Sequence, residues 1–151
     1  MLDTESRAIL RHFQNDPTLT APDLAALTGL SAGRVARRLE KLAADGVLLG
    51  QVAVIDWAVL GYAVQVSLRV TLDKTVSRAF DDFLAAARLV PEVLEIQTFL
   101  GRVDVRLSLV ARDLAHYQQI YRDQVLTLPH IADIEALMTV AQIKSDRVLP
   151  L

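Results

Sequence analysis

The sequence predicts an α+β protein in two parts, a three-helix segment followed by a β-α-β-β-α-β module, and three observations carry that reading. In residues 1–50 apolar residues recur at helical spacing between capping signals. From Tyr62 onward the period changes to strict alternation. The second part also echoes itself: "VPEVLEIQTFL" and "LPHIADIEALM" align with Pro91 and Pro129 standing 38 positions apart, each copy following a helical pattern.

The chain has 151 residues, 52% hydrophobic, enough for one ordinary domain or two small ones with a packed core. It has no cysteine, which removes disulfides, thiolate metal sites and cysteine nucleophiles together. The start, "MLDTESRAIL", has acids where a signal peptide needs cations. The longest apolar run, "VLLGQVAVIDWAVLGYAV", is interrupted by Gly50, Gln51, Asp56 and Gly61, so it reads as strand rather than membrane span. A soluble, cytoplasmic protein with no membrane partner is expected.

The first helix starts at Asp3, a good N-cap, carries Ala8, Ile9, Leu10 and Phe13 inward, and ends before Pro17. The second starts at Thr20, with Pro22 in its first turn and Asp23 three residues on, a weaker variant of the capping box. It carries Leu24, Ala25 and Leu27 and stops at Gly29. The third is capped by Ser31, turns Val35, Leu39 and Leu42 inward, and exits at Asp45-Gly46. Net charge is only -2, and residues 1–50 hold six acids against six bases, yet four of those bases (Arg34, Arg37, Arg38 and Lys41) fall within eight residues. They stand at i, i+3, i+4 and i+7, one stripe of a helix. A solvated helix face often carries such charges, but three arginines on the second helix of a tight two-helix unit fit a helix-turn-helix reading head for double-stranded DNA. Ala32 and Gly33 are small enough to bring the helix N-terminus close to phosphates, with Ser31 and Gly33 near the DNA backbone. Arg34 and Arg38, one turn apart, are the expected base readers.

A strand from Val47 to Ile55 is expected to leave this unit. Beyond it Val64, Val66, Leu68, Val70 and Leu72 alternate with polar residues. "TVSRAFDDFLAAAR" reads as a helix with Val76, Phe80, Phe83 and Leu84 inward. "VLEIQTF" and "VDVRLSLV" are strands. "DLAHYQQIYRDQVL" is a helix capped by Asp113, with Leu114, Tyr117, Tyr121 and Val125 on its buried face. "IADIEALMTVAQI" closes the module. The order is that of a ferredoxin-like split βαβ fold, with both helices on one sheet face. The other face then carries Gln65, Ser67, Arg69, Glu95, Gln97, Asp104, Arg106, Ser108, Glu135 and Thr139, with Val93, Phe99 and Leu137 among them. Such a face can be solvated or can pair with its own copy across a two-fold axis, and its apolar members favour pairing. The expected division is residues 1–46 for the helix-turn-helix, 47–61 as a strand linker, 62–143 as the ferredoxin-like module, and 144–151 as a tail.

Taken together, "LDTESRAILRHFQND", "LAALTGLSAGRVARRLEKLAADGVL", the turns "VPEVLEI" and "LPHIADI" and the closing "LPL" resemble the Lrp/AsnC family of transcription regulators over essentially the whole chain. The resemblance implies a winged helix-turn-helix joined by a strand linker to a ferredoxin-like RAM/ACT-like domain. It also implies dimers through the open sheet faces that assemble further to tetramers or octamers, and a small effector, usually an amino acid. The family's Thr-Gly-Asp-x-Asp-like motif corresponds here to "LGRVD": Gly101 and Asp104 match, while Leu100 and Arg102 depart. With Glu135 and Thr139 of the last strand, these are the expected effector residues. Gly101 is also what a turn alone would use, and Arg102 suits an acidic ligand group.

Two alternatives belong beside this reading. Siroheme decarboxylases are similar in architecture but carry a His- and Arg-containing stretch where this chain has "PEVLEIQTFLG", with no histidine. His12, His116 and His130 lack metal-ligand spacing, and no phosphate-loop, dinucleotide or nucleophile-elbow motif occurs. No catalytic residue, metal or cofactor is expected. The other alternative, a sensor that has lost DNA binding, conflicts with the intact basic stripe.

Overall fold

The computed structural model describes residues 2–145 and 148–151. The chain divides into two compact units, residues 1–54 with 144–151, and residues 55–143.

In the first unit Asp3 caps α1 (Thr4–Phe13), its side chain accepting from the Ser6 N–H at 2.8 Å. Thr20 and Asp23 form a full capping box on α2 (Ala21–Thr28), which ends on Gly29 at φ 74°, a left-handed position where glycine carries no Cβ penalty. Ser31 caps α3 (Ala32–Ala44). Ile9, Leu24 and Val35, one from each helix, are fully buried and form the centre of the unit. Of the apolar residues that α2 carries, Leu24 is fully buried and Leu27 is exposed. The 148–151 segment lies on α1: the Gln14 side-chain amide bonds both the N–H and the C=O of Leu149, and Arg11 Nε donates to the Leu151 carbonyl at 2.6 Å.

The second unit is an antiparallel sheet in the order β2-β3-β1-β4, from β1 (Val64–Leu72), β2 (Val93–Thr98), β3 (Val105–Ala111) and β4 (Ile131–Met138). Val66, Leu68, Val70 and Leu72 of β1 and Val105, Leu107 and Leu109 of β3 face α4 (Ala79–Ala87) and α5 (Leu114–Ile120), and a π-helical turn (Tyr121–Val125) continues α5. The opposite face carries Ser67, Arg69, Glu95, Gln97, Arg106, Ser108, Glu135 and Leu137, as the alternation requires. Arg69 lies between Arg106 and Glu135 in register and pairs with Glu135 at 3.5 Å. Glu95 bonds Arg106 at 3.3 Å and Ser108 at 3.2 Å.

Several expectations are corrected. Residues 47–55 hold no strand: no described segment pairs with them, and Leu49, Val52 and Val54 are exposed. Val93 faces the helices, opposite Leu109, because the register shifts between Val93 and Glu95 and breaks strict alternation. β4 shifts at the equivalent place, between Ile131 and Asp133, so the internal echo carries its bulge with it. The last strand ends at Met138, five residues short of the expected Ile143. α4 buries Ala79, Phe83 and Ala87, spaced four apart, and leaves Val76 and Phe80 outside that stripe. Leu114 is likewise exposed, its turn of α5 standing away from the buried Tyr117 and Ile120.

Phe83 and Phe80 therefore separate in a denaturation experiment. Phe83→Ala opens a cavity at a fully buried site and is expected to destabilise this unit by about 3–5 kcal/mol. Phe80→Ala, at a site 42% exposed, is expected to cost well under half of that. Urea midpoints of the two variants, followed by far-ultraviolet circular dichroism, check the difference.

Candidate DNA-reading helix and effector hairpin

α3 positions the four expected cations, but not alike. Its buried residues are Val35 and Leu42, with Leu39 packed beside them, so Arg34, Arg37 and Lys41 emerge on the exposed side. Arg34 Nη2 meets Glu5 Oε1 at 2.9 Å, with the arginine side chain 57% exposed. Arg37 Nε donates back to the Gly33 carbonyl at 3.3 Å, and Lys41 pairs with Asp45 at 2.9 Å one turn on. Arg38 departs from the expected ridge. Its side chain turns to α1, where Nη1 reaches Asp3 at 2.7 Å and Ser6 at 3.1 Å, and Nη2 pairs with Glu5. At 100° per residue, position 38 lies between the exposed stripe and the buried one, and the acids at the start of α1 draw the guanidinium inward. At the helix start, Ser31 Oγ accepts from the Arg34 N–H at 3.4 Å, and open space surrounds Gly33.

Asp3, Glu5 and Ser6 are partners of Arg34 and Arg38 that the helical stripe alone does not reveal. Asp3 was legible only as a cap. The available signal was the acidic "LDTES" facing an arginine-rich helix across a short unit. Asp3 is held at about 2, below its ordinary 3.8, first by the Ser6 backbone N–H and then by Arg38.

In the second unit Leu100, Gly101 and Arg102 form the exposed tip of the β2–β3 hairpin, and Leu100 is fully exposed. Asp104 stands at its base. Its Oδ2 accepts from the Leu72 N–H at 2.9 Å, its Oδ1 meets Lys74 at 3.5 Å, and its own N–H donates to the Val70 carbonyl at 3.0 Å. Thr71 Oγ1 donates to the Arg102 carbonyl at 3.0 Å. Thus Asp104 pins the hairpin to the end of β1. The other expected effector residues do not join it. Glu135 lies mid-strand against Arg69, and the Thr139 N–H donates to the Gln65 carbonyl, at the far end of β1. At about 3.3 Å per residue, that separates Thr139 from the hairpin base by roughly 20 Å.

His116 is half-buried, Nδ1 accepting from the Arg112 N–H at 3.2 Å and Nε2 standing 3.9 Å from Glu92. His130 stands 3.3 Å from Asp82. No described group of three or more His, Cys, Asp or Glu side chains could hold a metal ion, and no described helix is long and apolar enough to cross a membrane.

A capped three-helix head with arginines on its second turn-linked helix, followed by a one-sided antiparallel sheet, defines a helix-turn-helix transcription regulator with an appended sensing domain. Comparison with known proteins agrees. Residues 2–48 match the winged helix-turn-helix DNA-binding model, and residues 65–149 match the Lrp/AsnC ligand binding domain. The chain belongs to the Lrp/AsnC family and is a DNA-binding transcriptional regulator. It is 29% identical to the glutamate uptake regulatory protein of Zymomonas mobilis, over 99% of this chain and 91% of that protein. It is 30% identical to the proline dehydrogenase transcriptional activator of Rhodobacter capsulatus, over 87% and 86%. A Neisseria meningitidis transcriptional regulator solved in complex with L-Met superposes with a TM-score of 0.91 at 27% identity, over 99% of this chain and 97% of that one.

The α1–α3 cluster gives a titration test. A carboxyl whose folded pKa is depressed contributes stability above its unfolded value and loses it as pH falls through the folded one. For Asp3 that window runs from 3.8 down to about 2. The Asp3 carboxyl is expected to titrate near the lower end by carbon-detected NMR. Arg38→Met should raise that midpoint while leaving it below 3.8, because the larger contribution, from Ser6, survives.

Proposed function

We propose that this chain regulates transcription by seating α3 in the major groove of double-stranded DNA, as a homo-oligomer whose DNA affinity is set by a small molecule of the amino-acid class. One observation carries the reading: α3 buries Val35 and Leu42 and leaves Arg34, Arg37 and Lys41 exposed together. Arg34 and Arg37, nearest the helix start, are the base readers. Lys41, Ser31 and Gly33 serve the phosphates. Arg38 supports them from behind. The protein acts where the DNA is, in the cytoplasm, and performs no catalysis.

Oligomerisation follows from size and from the sheet. One reading head covers too small a surface for tight specific binding, and two related by a dyad read half-sites a helical turn apart. The open face, with Leu137 beside the Arg69–Glu135 and Arg106–Glu95 pairs, is the proposed seam, giving a dimer that assembles to a tetramer or octamer.

The effector proposal rests on relatives named for glutamate uptake and proline dehydrogenase and on the structure bound to L-Met. The hairpin tip offers Arg102 and the Leu100 and Gly101 backbone, with Asp104 fixing the loop. Glu135, on β4 and two strands away from β3, is turned to Arg69, and Thr139 lies at the far end of β1, so Thr139 enters the site only as a group supplied by another copy.

Four measurements test this. Arg34→Ala or Arg37→Ala is expected to weaken operator binding by about 1–3 kcal/mol and relax base preference, while Lys41→Ala weakens all sequences alike. Wild-type binding should fall steeply with salt in a gel-shift titration; salt-independent binding, or none, would return the chain to a sensor without DNA. Sedimentation at micromolar concentration should show a dimer or larger. In a thermal-shift screen of amino acids, at least one should stabilise the wild type and act more weakly on Arg102→Ala.

A further inference from the structure

We propose that Glu5 is a specificity-determining residue of DNA recognition, holding Arg34 by one edge so that the guanidinium is offered to base edges rather than to phosphates. The inference rests on the reading that α3 contacts DNA through Arg34. Glu5 lies in the first turn of α1, outside the helix-turn-helix itself.

The geometry divides two arginines between two tasks. Arg38, only 24% exposed, is committed inside the protein to Asp3, Ser6 and Glu5. Those contacts fix the Glu5 carboxylate from one side through Oε2. Oε1 then holds Nη2 of Arg34 at 2.9 Å, and the Arg34 side chain remains 57% exposed. A guanidinium has five donors in a rigid fork. Glu5 occupies one corner, and Arg34 makes no other side-chain bond among the described residues. The free edge has the geometry for a bidentate bond to guanine O6 and N7.

The same carboxylate acts electrostatically. An arginine without a partner binds any duplex through phosphates, the source of non-specific affinity. An acid 2.9 Å from Arg34 offsets its charge and repels a phosphate approaching that edge. A neutral base edge suffers no such repulsion. Glu5 thus lowers affinity for all DNA while sparing the contact that reads sequence, and discrimination is the ratio of the two.

The test uses the full-length protein and an operator selected with the wild type from a random duplex library. Operator and non-specific affinities are measured across salt for wild type, Glu5→Gln, Arg34→Met and the double variant. Glu5→Gln is expected to tighten non-specific binding, to steepen its salt dependence by about one ion, and to reduce the operator-to-non-specific ratio about fivefold or more. In the Arg34→Met background it should change the ratio no further. If Glu5→Gln leaves the ratio at the wild-type value while Arg34→Met weakens the operator, this inference fails and the reading of Arg34 stands. If Arg34→Met binds the operator normally, the reading of Arg34 fails first and takes the inference with it. A lower melting temperature with both affinities reduced by one factor would show that Glu5 only supports the fold, and would also overturn the proposal.

Discussion

A sheet covered by helices on one face only must do something with the other, and this constraint governs the second unit. β1 and β3 occupy the middle of the sheet, and β1 meets both β3 and β4. Its even-numbered residues supply the buried floor under α4 and α5, and its odd-numbered residues supply the centre of the open face. Sliding β1 by one residue would exchange those sets entirely, so one register fixes both the core and the surface. That surface is neither apolar nor freely solvated in character. Arg69 and Arg106 stand side by side, each paired to an acid on an outer strand. Exposed pairs of this kind contribute little to the stability of one chain. They supply a pattern of alternating charge that a two-fold copy can match or oppose, which is how such pairs select partners.

Charge in the first unit follows a related logic. Residues 1–50 hold six acids and six bases that cancel, which by composition alone speaks against nucleic acid. The structure accounts for the balance by pairing: Asp3 and Glu5 hold Arg38, Glu5 also holds Arg34, and Asp45 meets Lys41. Each exposed cation except Arg37 on this helix therefore has an acid to release or retain when it meets a phosphate. On the proposed reading, such pairing gives the head modest non-specific attraction and makes its selectivity depend more on placement than on charge count.

Local chemistry was legible in the sequence because it is decided by near neighbours. Asp3, Thr20 with Asp23, Ser31, Asp113 and Gly29 all cap or end helices as their types predict. The alternation of β1 and β3 gave both sheet faces, since period two leaves little freedom. What escaped depended on non-local partners. The segment 47–55 has strand composition but no partner strand, and composition cannot supply one. Val93 was misplaced because a bulge shifts the count by one, and the signal for it lay in the echo, where Val93 and Ile131 precede apolar Ile96 and Ile134 at the same odd spacing. Arg38 was read as exposed because a helical stripe is blind to the acids on another helix. The apolar pattern of the helix points Phe80 inward, whereas the spacing of Ala79, Phe83 and Ala87 decides the buried stripe.

The division of the expected effector residues bears on how sensing and assembly are related. The hairpin tip and Thr139 lie at opposite ends of β1, and the antiparallel register makes that separation a property of the fold rather than of side-chain conformation. No rotamer change in one chain brings them together. On the proposed reading, a ligand that needs both must therefore bind between copies, since another copy can set its own β4 end near this hairpin. Such a ligand has, by construction, different affinities for separate and assembled chains. That difference is the only means by which a ligand shifts an equilibrium. Linkage then runs both ways, so DNA that prefers one assembly strengthens the effector's binding to it by the same factor that the effector strengthens DNA binding. On the same reading Asp104, tied to β1 through Leu72, Val70 and Lys74, anchors the hairpin, so that less of a ligand's binding free energy goes into ordering a loop and more into joining copies.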